Sequence, residues 1–259
     1  MGWYHASPVK RIEKVRLKLK RAQKHIHDFE AAAGVFLEDA YVIGTKPNSK
    51  LPDWTTYYIK EAHPIPPYLS LFAGDCIHNL RSVLDHLVWR LVEAYGVMQP
   101  GDHTAFPIFD VCQKTSKIDT AKSLARKIQG VHPDAEKAIG LLQPYKSGDM
   151  MLWHIHQLDI MDKHKLILEV ASCPTNWGLK REGIWLGETS GIVFDAQAGD
   201  ELCNFPASTV GVDEDNIEFG FDIAFNDPTI IAGKSVLLTL NGMADFVDKI
   251  ITDFKPLLD

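Results

Sequence analysis

From Ile12 to Phe36 an apolar side chain returns every three or four residues: Ile12, Val15, Leu19, Ala22, Ile26, Phe29, Ala33 and Phe36. At about 100° per residue these positions form one seam along a helix of roughly 28 residues, against about 11–12 in an ordinary globular helix. A seam of that length must be covered along its whole run. Other helices of the same chain can cover it, and so can a second copy, so a homodimer is an expectation alongside intrachain packing.

The next long helix is predicted from about Tyr68 to Tyr95, opened by Pro64, Pro66 and Pro67 and closed by Gly96. Its stripe is Leu69, Ala73, Cys76, Leu80, Leu84, Leu87 and Leu91. On the opposite face fall His78, Ser82, Asp85 and Trp89, with Arg81 to one side and His86 to the other. Ionisable groups in mid-helix need partners. The expectation is therefore a central helix with one greasy face and one enclosed polar face. A second polar run, His154 to Lys165, holds His156, Asp159, Asp162 and His164 on a helix predicted over Met150–Lys163.

Around these two helices the chain reads as α+β. Trp54–Ala62 has strand composition, and Phe106–Phe109 forms an apolar plug. Two short helices are predicted over Ile118–Ile128 and Pro133–Leu142. Beyond Leu166 short strands are predicted over Leu166–Ala171, Gly183–Leu186, Gly191–Ala196 and Ile217–Phe225, and Ser235 is placed to cap a last helix. The expected organisation is a helix-rich body over 1–165 carrying both polar clusters. A small antiparallel sheet and a closing C-terminal helix over 166–259 pack with it as one compact unit.

Charge is uneven. Of 27 Lys+Arg and 34 Asp+Glu, 5 and 16 fall in 166–259 (−11), leaving 22 and 18 for 1–165 (+4). Lys10, Lys14, Lys18 and Arg21 belong to a basic run on the first helix, which directs any polyanionic partner to that half of the chain. No apolar run is long enough to span a membrane, and the first ten residues have no apolar signal core. Cys76, Cys112, Cys173 and Cys203 form no CxxC pair, which disfavours a zinc knuckle or a disulfide framework. A cytoplasmic protein with reduced cysteines and no cofactor is the resulting expectation. Gly233-Lys234-Ser235 ends like a phosphate loop, but position 228 is Pro where such a loop has Gly.

Arg81 and His86 are separated by four residues on a helix, with the polar Ser82 directly after the Arg. This pattern resembles the HEPN superfamily, whose signature is Arg, four to six residues, then His on a helix. The longer arrangement, Gly74-Asp75 through His86 and then Leu158-Asp159 through Lys165, is also similar to that of a group of uncharacterised bacterial proteins of this length. The HEPN resemblance implies metal-independent RNA cleavage, or RNA binding, at a site often built on a dimer interface. In it His86 would be the general acid or base, Arg81 would hold the phosphate, and Asn79 or Ser82 would orient the groups. On a regular helix, however, Arg81 and His86 lie about 140° apart with a rise of ~7.5 Å, and Asp85 stands where it can pair with Arg81.

Two other readings stand beside it. His78 and Asp85 with His156 and Asp159 or Asp162 have the chemistry of a metal-dependent hydrolase between two helices, without a recognised ligand spacing. Alternatively the same residues with Arg81 form a structural buried polar network in a non-catalytic interaction protein. The remaining histidines, His5, His25, His27, His103 and His132, read as surface or loop groups.

Overall fold

The computed structural model describes residues 8–110, 120–146, 148–165, 170–179, 184–188, 195–206, 217–227 and 229–258. Six α-helices and seven strands follow in chain order among them: α1 Pro8–Asp39, β1 Tyr41–Pro47, β2 Trp54–Ala62, α2 Pro67–Tyr95, α3 Thr120–Lys127, α4 Pro133–Leu141, α5 Met150–Lys165, β3 Val170–Leu179, β4 Ile184–Glu188, β5 Glu201–Pro206, β6 Ile217–Asp227, β7 Ile231–Ser235 and α6 Val236–Phe254. The fold is α+β, as the periodicities indicate, and it carries two antiparallel sheets where one was expected. Strands β1-β2-β5 make one sheet and β4-β3-β6-β7 the other.

The chain divides into two compact units, one of residues 1–28, 71–168 and 238–259 and one of residues 29–70 and 169–237. The helical unit holds the first part of α1, nearly all of α2, then α3, α4 and α5, and most of α6. The α1 seam is buried from Ile12 through Ala33, and Arg11 and Arg16 on its flank reach the Leu258 carbonyl (3.0 Å) and Thr252 Oγ1 (3.3 Å). Along α2 Cys76, Ile77, Leu80, Val83, Leu84, Leu87 and Val88 lose all solvent contact. Burial of one such Leu or Ile stabilises by roughly 1.5–3 kcal/mol. Helix ends follow local chemistry. Gly96, at φ +70°, closes α2 by donating to the Val92 carbonyl at 3.1 Å. His132 caps α4 by accepting from the Asp134 amide, and Asp149 caps α5 by accepting from the Leu152 amide. The Phe106–Phe109 plug is core: Phe106 and Ile108 are buried, while Phe109 bridges to Tyr145.

In the sheet unit the inner faces meet through Ile59, Ala196 and Leu202, with Tyr41, Ile43, Phe219 and Phe221 packed around them. Tyr41 stacks on Phe221 at 4.1 Å and its hydroxyl bonds Ser172, while Tyr57 and Trp177 close on Phe205. The expected strand over Leu166–Ala171 begins at Val170 and continues to Leu179, with a register shift between Pro174 and Asn176. Residues 166–169 of that expectation, Gly183 of the Gly183–Leu186 strand, and 191–194 of the expected strand Gly191–Ala196, lie outside the described residues. Ala196, at the end of the latter, donates to the Ser172 carbonyl at 3.1 Å. Strands β1, β5 and β7 were not expected. Ser235, expected to cap the last helix, directly precedes α6; it also ends β7 and pairs with Ala224.

Candidate functional site

The two polar clusters come together in the helical unit, where α2 faces α5. His78 Nδ1 lies 3.1 Å from Asp159 Oδ1, and Lys163 Nζ donates to Asp159 Oδ2 at 2.6 Å. Asp159 is buried, and each of its oxygens has one partner. Asp162, one turn on, lies against Gly74: a Cβ at position 74 would meet its Oδ1 at 2.2 Å. The missing side chain on α2 makes the room that Asp162 occupies. Burial, with the carboxylates of Asp75 and Asp159 nearby, holds the Asp162 carboxyl above its ordinary value.

Arg81 has a different environment. Its side chain is only 7% exposed; Nη1 donates to Asp85 Oδ1 at 2.6 Å and Nη2 to the Phe106 carbonyl at 2.9 Å. The same Asp85 oxygen accepts from the Phe106 amide at 2.8 Å. Arg81 and Asp85 thus grip both backbone groups of one residue, Phe106, and tie the plug to α2. The amide and carbonyl of a buried residue outside regular structure need partners. Here two charged side chains, four residues apart on one helix face, supply them.

His86 points elsewhere. It lines a separate open recess of about 390 Å³ with Asp85, Trp89, Arg90 and Thr104. Burial, reinforced by Lys18 and Arg90, holds its imidazole below the ordinary value despite Asp85. No hydrogen bond or ion pair joins Arg81 to His86 among the described residues. Asn79 is buried and donates back to the Asp75 carbonyl at 2.7 Å, an intrahelical bond. Ser82 is half-buried.

The expected enclosure of the polar face is corrected: His78 is 47% and Trp89 37% exposed, while Arg81 is the polar group taken inside. The angle explains this, because Arg81 lies at the edge of the apolar stripe and can turn its head under Phe106. His25 is corrected too. It is buried, accepts from Arg21 Nε at 3.1 Å and has Asp75 Oδ2 at 3.9 Å, because it lies three residues after Ala22 and four before Phe29, on the edge of the seam.

His156 comes from α5 toward Arg81 and Lys127. Its Nδ1 is buried without a hydrogen-bond partner. Burial, reinforced by those two cations, pushes its pKa down to about 4, so the ring is neutral. Asp110, in the turn after the plug, accepts from Trp153 Nε1 at 2.9 Å and Gln157 Nε2 at 2.8 Å. The side chains of His164 and Lys10 lie outside the described residues. Lys14 and Arg21 are exposed on α1, and Lys18 is half-buried near His86. Among the described residues no three of His, Cys, Asp and Glu are arranged to hold a metal ion, and Cys76, Cys173 and Cys203 are free.

A feature the sequence reading passed over lies beside the His86 recess. His103, Lys122, Ser123, Arg126 and Lys127, with Asp102 and Ala105, line a second recess of about 530 Å³. The signal was present in Lys122 and Arg126, four residues apart on one side of a short helix, with Lys127 following at its end.

Fold and site together define an α+β protein whose helical unit has a structural Arg–Asp clamp beneath two open, cation-bearing recesses. The chain matches no protein-family model, no curated protein and no solved structure.

Proposed function

We propose that the chain is a non-catalytic RNA-binding protein with a HEPN-like helix. The observation that carries this reading is the position of Arg81. In a ribonuclease built on the Arg-x4-His pattern, the guanidinium must be open to a phosphate and share it with the histidine. Arg81 is instead buried against Asp85 and the Phe106 carbonyl. Freeing it would take the counter-charge from Asp85 and leave a buried carbonyl unpaired.

RNA binding, without cleavage, keeps its support. The exposed cations of α1, the Lys18–His86–Arg90 neighbourhood and the exposed Trp89 offer charge for phosphates and a ring for a base. A metal-dependent hydrolase has less to stand on: Lys163 occupies the second oxygen of Asp159, and the described residues supply no ligand set.

The test is incubation of labelled single-stranded RNA with the full chain in EDTA, read for both binding and products. The expected result is salt-sensitive binding and intact RNA. A 2',3'-cyclic phosphate product that disappears in His86→Ala, with folding retained, would overturn the non-catalytic reading.

A further inference from the structure

We propose that the recess between the His103 turn and α3 is a phosphate-binding site, and that it takes a backbone phosphate of single-stranded RNA. This deepens the RNA-binding reading and rests on it.

At about 530 Å³ the recess falls within the roughly 300–1,000 Å³ range of ligand sites. Lys122, Arg126 and Lys127 face Asp102, the one carboxylate among its described lining residues. In a chain of net charge −7, this concentration of positive charge runs against the whole. Arg126 has no carboxylate partner among the described residues; its Nη2 lies 2.6 Å from His103 Nδ1, so the guanidinium leans on an imidazole. Lys127 is half-buried, with its ammonium 5.2 Å over the Phe109 ring, and it too makes no ion pair among the described residues. A partly desolvated ammonium with no ion-pair contact, near Arg81 as well as Asp85, is unfavourable, and an anion entering the recess would relieve it. Burial already holds Lys127 below its ordinary value.

Phosphate suits this lining better than a carboxylate. Its several oxygens can take the Arg126 fork, an ammonium and the Ser123 hydroxyl at the same time. RNA is favoured over a free phosphate by what lies next door. Thr104, between His103 and Ala105, lines the neighbouring recess, where His86 and Trp89 present rings. Adjacent residues of one segment, ~3.8 Å apart at Cα, thus form the wall common to a cationic recess and an aromatic one. A charged groove beside a stacking ring is how single strands are held without reading sequence.

The experiment measures the affinity of the full chain for a fluorescein-labelled oligouridylate by anisotropy, between about 50 and 200 mM salt. Lys122→Ala with Arg126→Ala removes two exposed cations and should weaken binding at least about tenfold. It should also flatten the plot of log K against log salt by about 1.4, since each lost phosphate contact on a single strand accounts for roughly 0.7. Arg126→Lys, which keeps the charge, should preserve the slope. Lys14→Ala with Arg21→Ala, on α1, serves as the comparison.

If the parent binds and only the α1 pair weakens it, this assignment is overturned and the RNA-binding reading stands. If the parent binds no RNA, both fall. Displacement of the oligomer by uridine monophosphate at equal concentration would make a free nucleotide the ligand and overturn the RNA assignment. Equal displacement by polyglutamate would overturn phosphate itself. Thermal unfolding of each variant separates a lost contact from a lost fold.

Discussion

Arg81 and His86 share a motif and serve different surroundings. A guanidinium with five donors and no acceptor fits a position with a carboxylate on one side and a backbone carbonyl on the other, and Phe106 fills that position. Asp85 is the half of the clamp that holds the Phe106 amide. Asp85→Asn keeps an acceptor there and gives up the charge, so it should cost less in urea unfolding than Asp85→Ala, which leaves Arg81 Nη1 without its acceptor and orphans the amide. Equal midpoints for the two would contradict the clamp. His156 gives a pH prediction. Its folded pKa is depressed to about 4 from 6.5, so its contribution to stability is fully present above pH 6.5 and is lost as pH falls toward 4. His25, His86 and His154 are shifted the same way by burial and act in the same direction. Replacement by Gln, which does not titrate, should remove up to about 3 kcal/mol of that loss. A His156→Gln variant with the parent's acid sensitivity would place the destabilisation elsewhere.

Between elements, the approach of α2 and α5 depends on Gly74 as much as on any polar pair. Asp162 lies where a Cβ at position 74 would stand. An alanine there gains up to about 1 kcal/mol of helix propensity and must displace the Asp162 carboxylate. Gly74→Ala should therefore stabilise more in an Asp162→Ala background than in the parent, with a coupling of about 1 kcal/mol in a double-mutant cycle. Additive effects would mean that Asp162 moves aside freely. Because the Asp162 pKa is raised, its ionised form burdens the fold at pH above its folded pKa. Asp162→Asn should stabilise at neutral pH and do nothing below the ordinary 3.8, as chemical unfolding at the two pH values would show. The helices were legible because their stripes are long and unbroken. The strands that escaped notice, β1, β5 and β7, are all sheet edges. Edge strands are short and tolerate Gly and Pro, as Gly44, Pro47, Pro206 and Gly233 show here, so composition marks them as loop.

Across the whole molecule, three helices begin in one unit and end in the other: α1, α2 and α6 contribute residues to both. The last helix, α6, gives most of its length to the helical unit, which draws on the beginning, middle and end of the chain. Sequence order alone does not reveal such an arrangement, because an amphipathic stripe says that a face is covered and not by which segment. The same limit applied to the site. That α2 and α5 meet through His78 and Asp159 was legible, since each helix carries a cluster of ionisable groups in mid-helix that needs partners. That Arg81 turns inward to Phe106 was not, because its partner is a backbone carbonyl, which no residue pattern marks. The cationic recess was missed for a related reason: it joins a turn to a helix about twenty residues later, and neither segment is distinctive by itself.

The central claim is that Arg81 holds the plug on α2 and does not hold RNA. Arg81→Ala tests it in one variant, with the urea midpoint and the RNA affinity of the folded protein measured on the same preparation. Breaking a buried pair costs about 3–5 kcal/mol, and because Asp85 is 37% exposed the loss here should be nearer 2–3 kcal/mol. The predicted result is that loss of stability with RNA affinity per folded molecule unchanged. A variant as stable as the parent that no longer binds RNA would contradict the claim and return Arg81 to the phosphate.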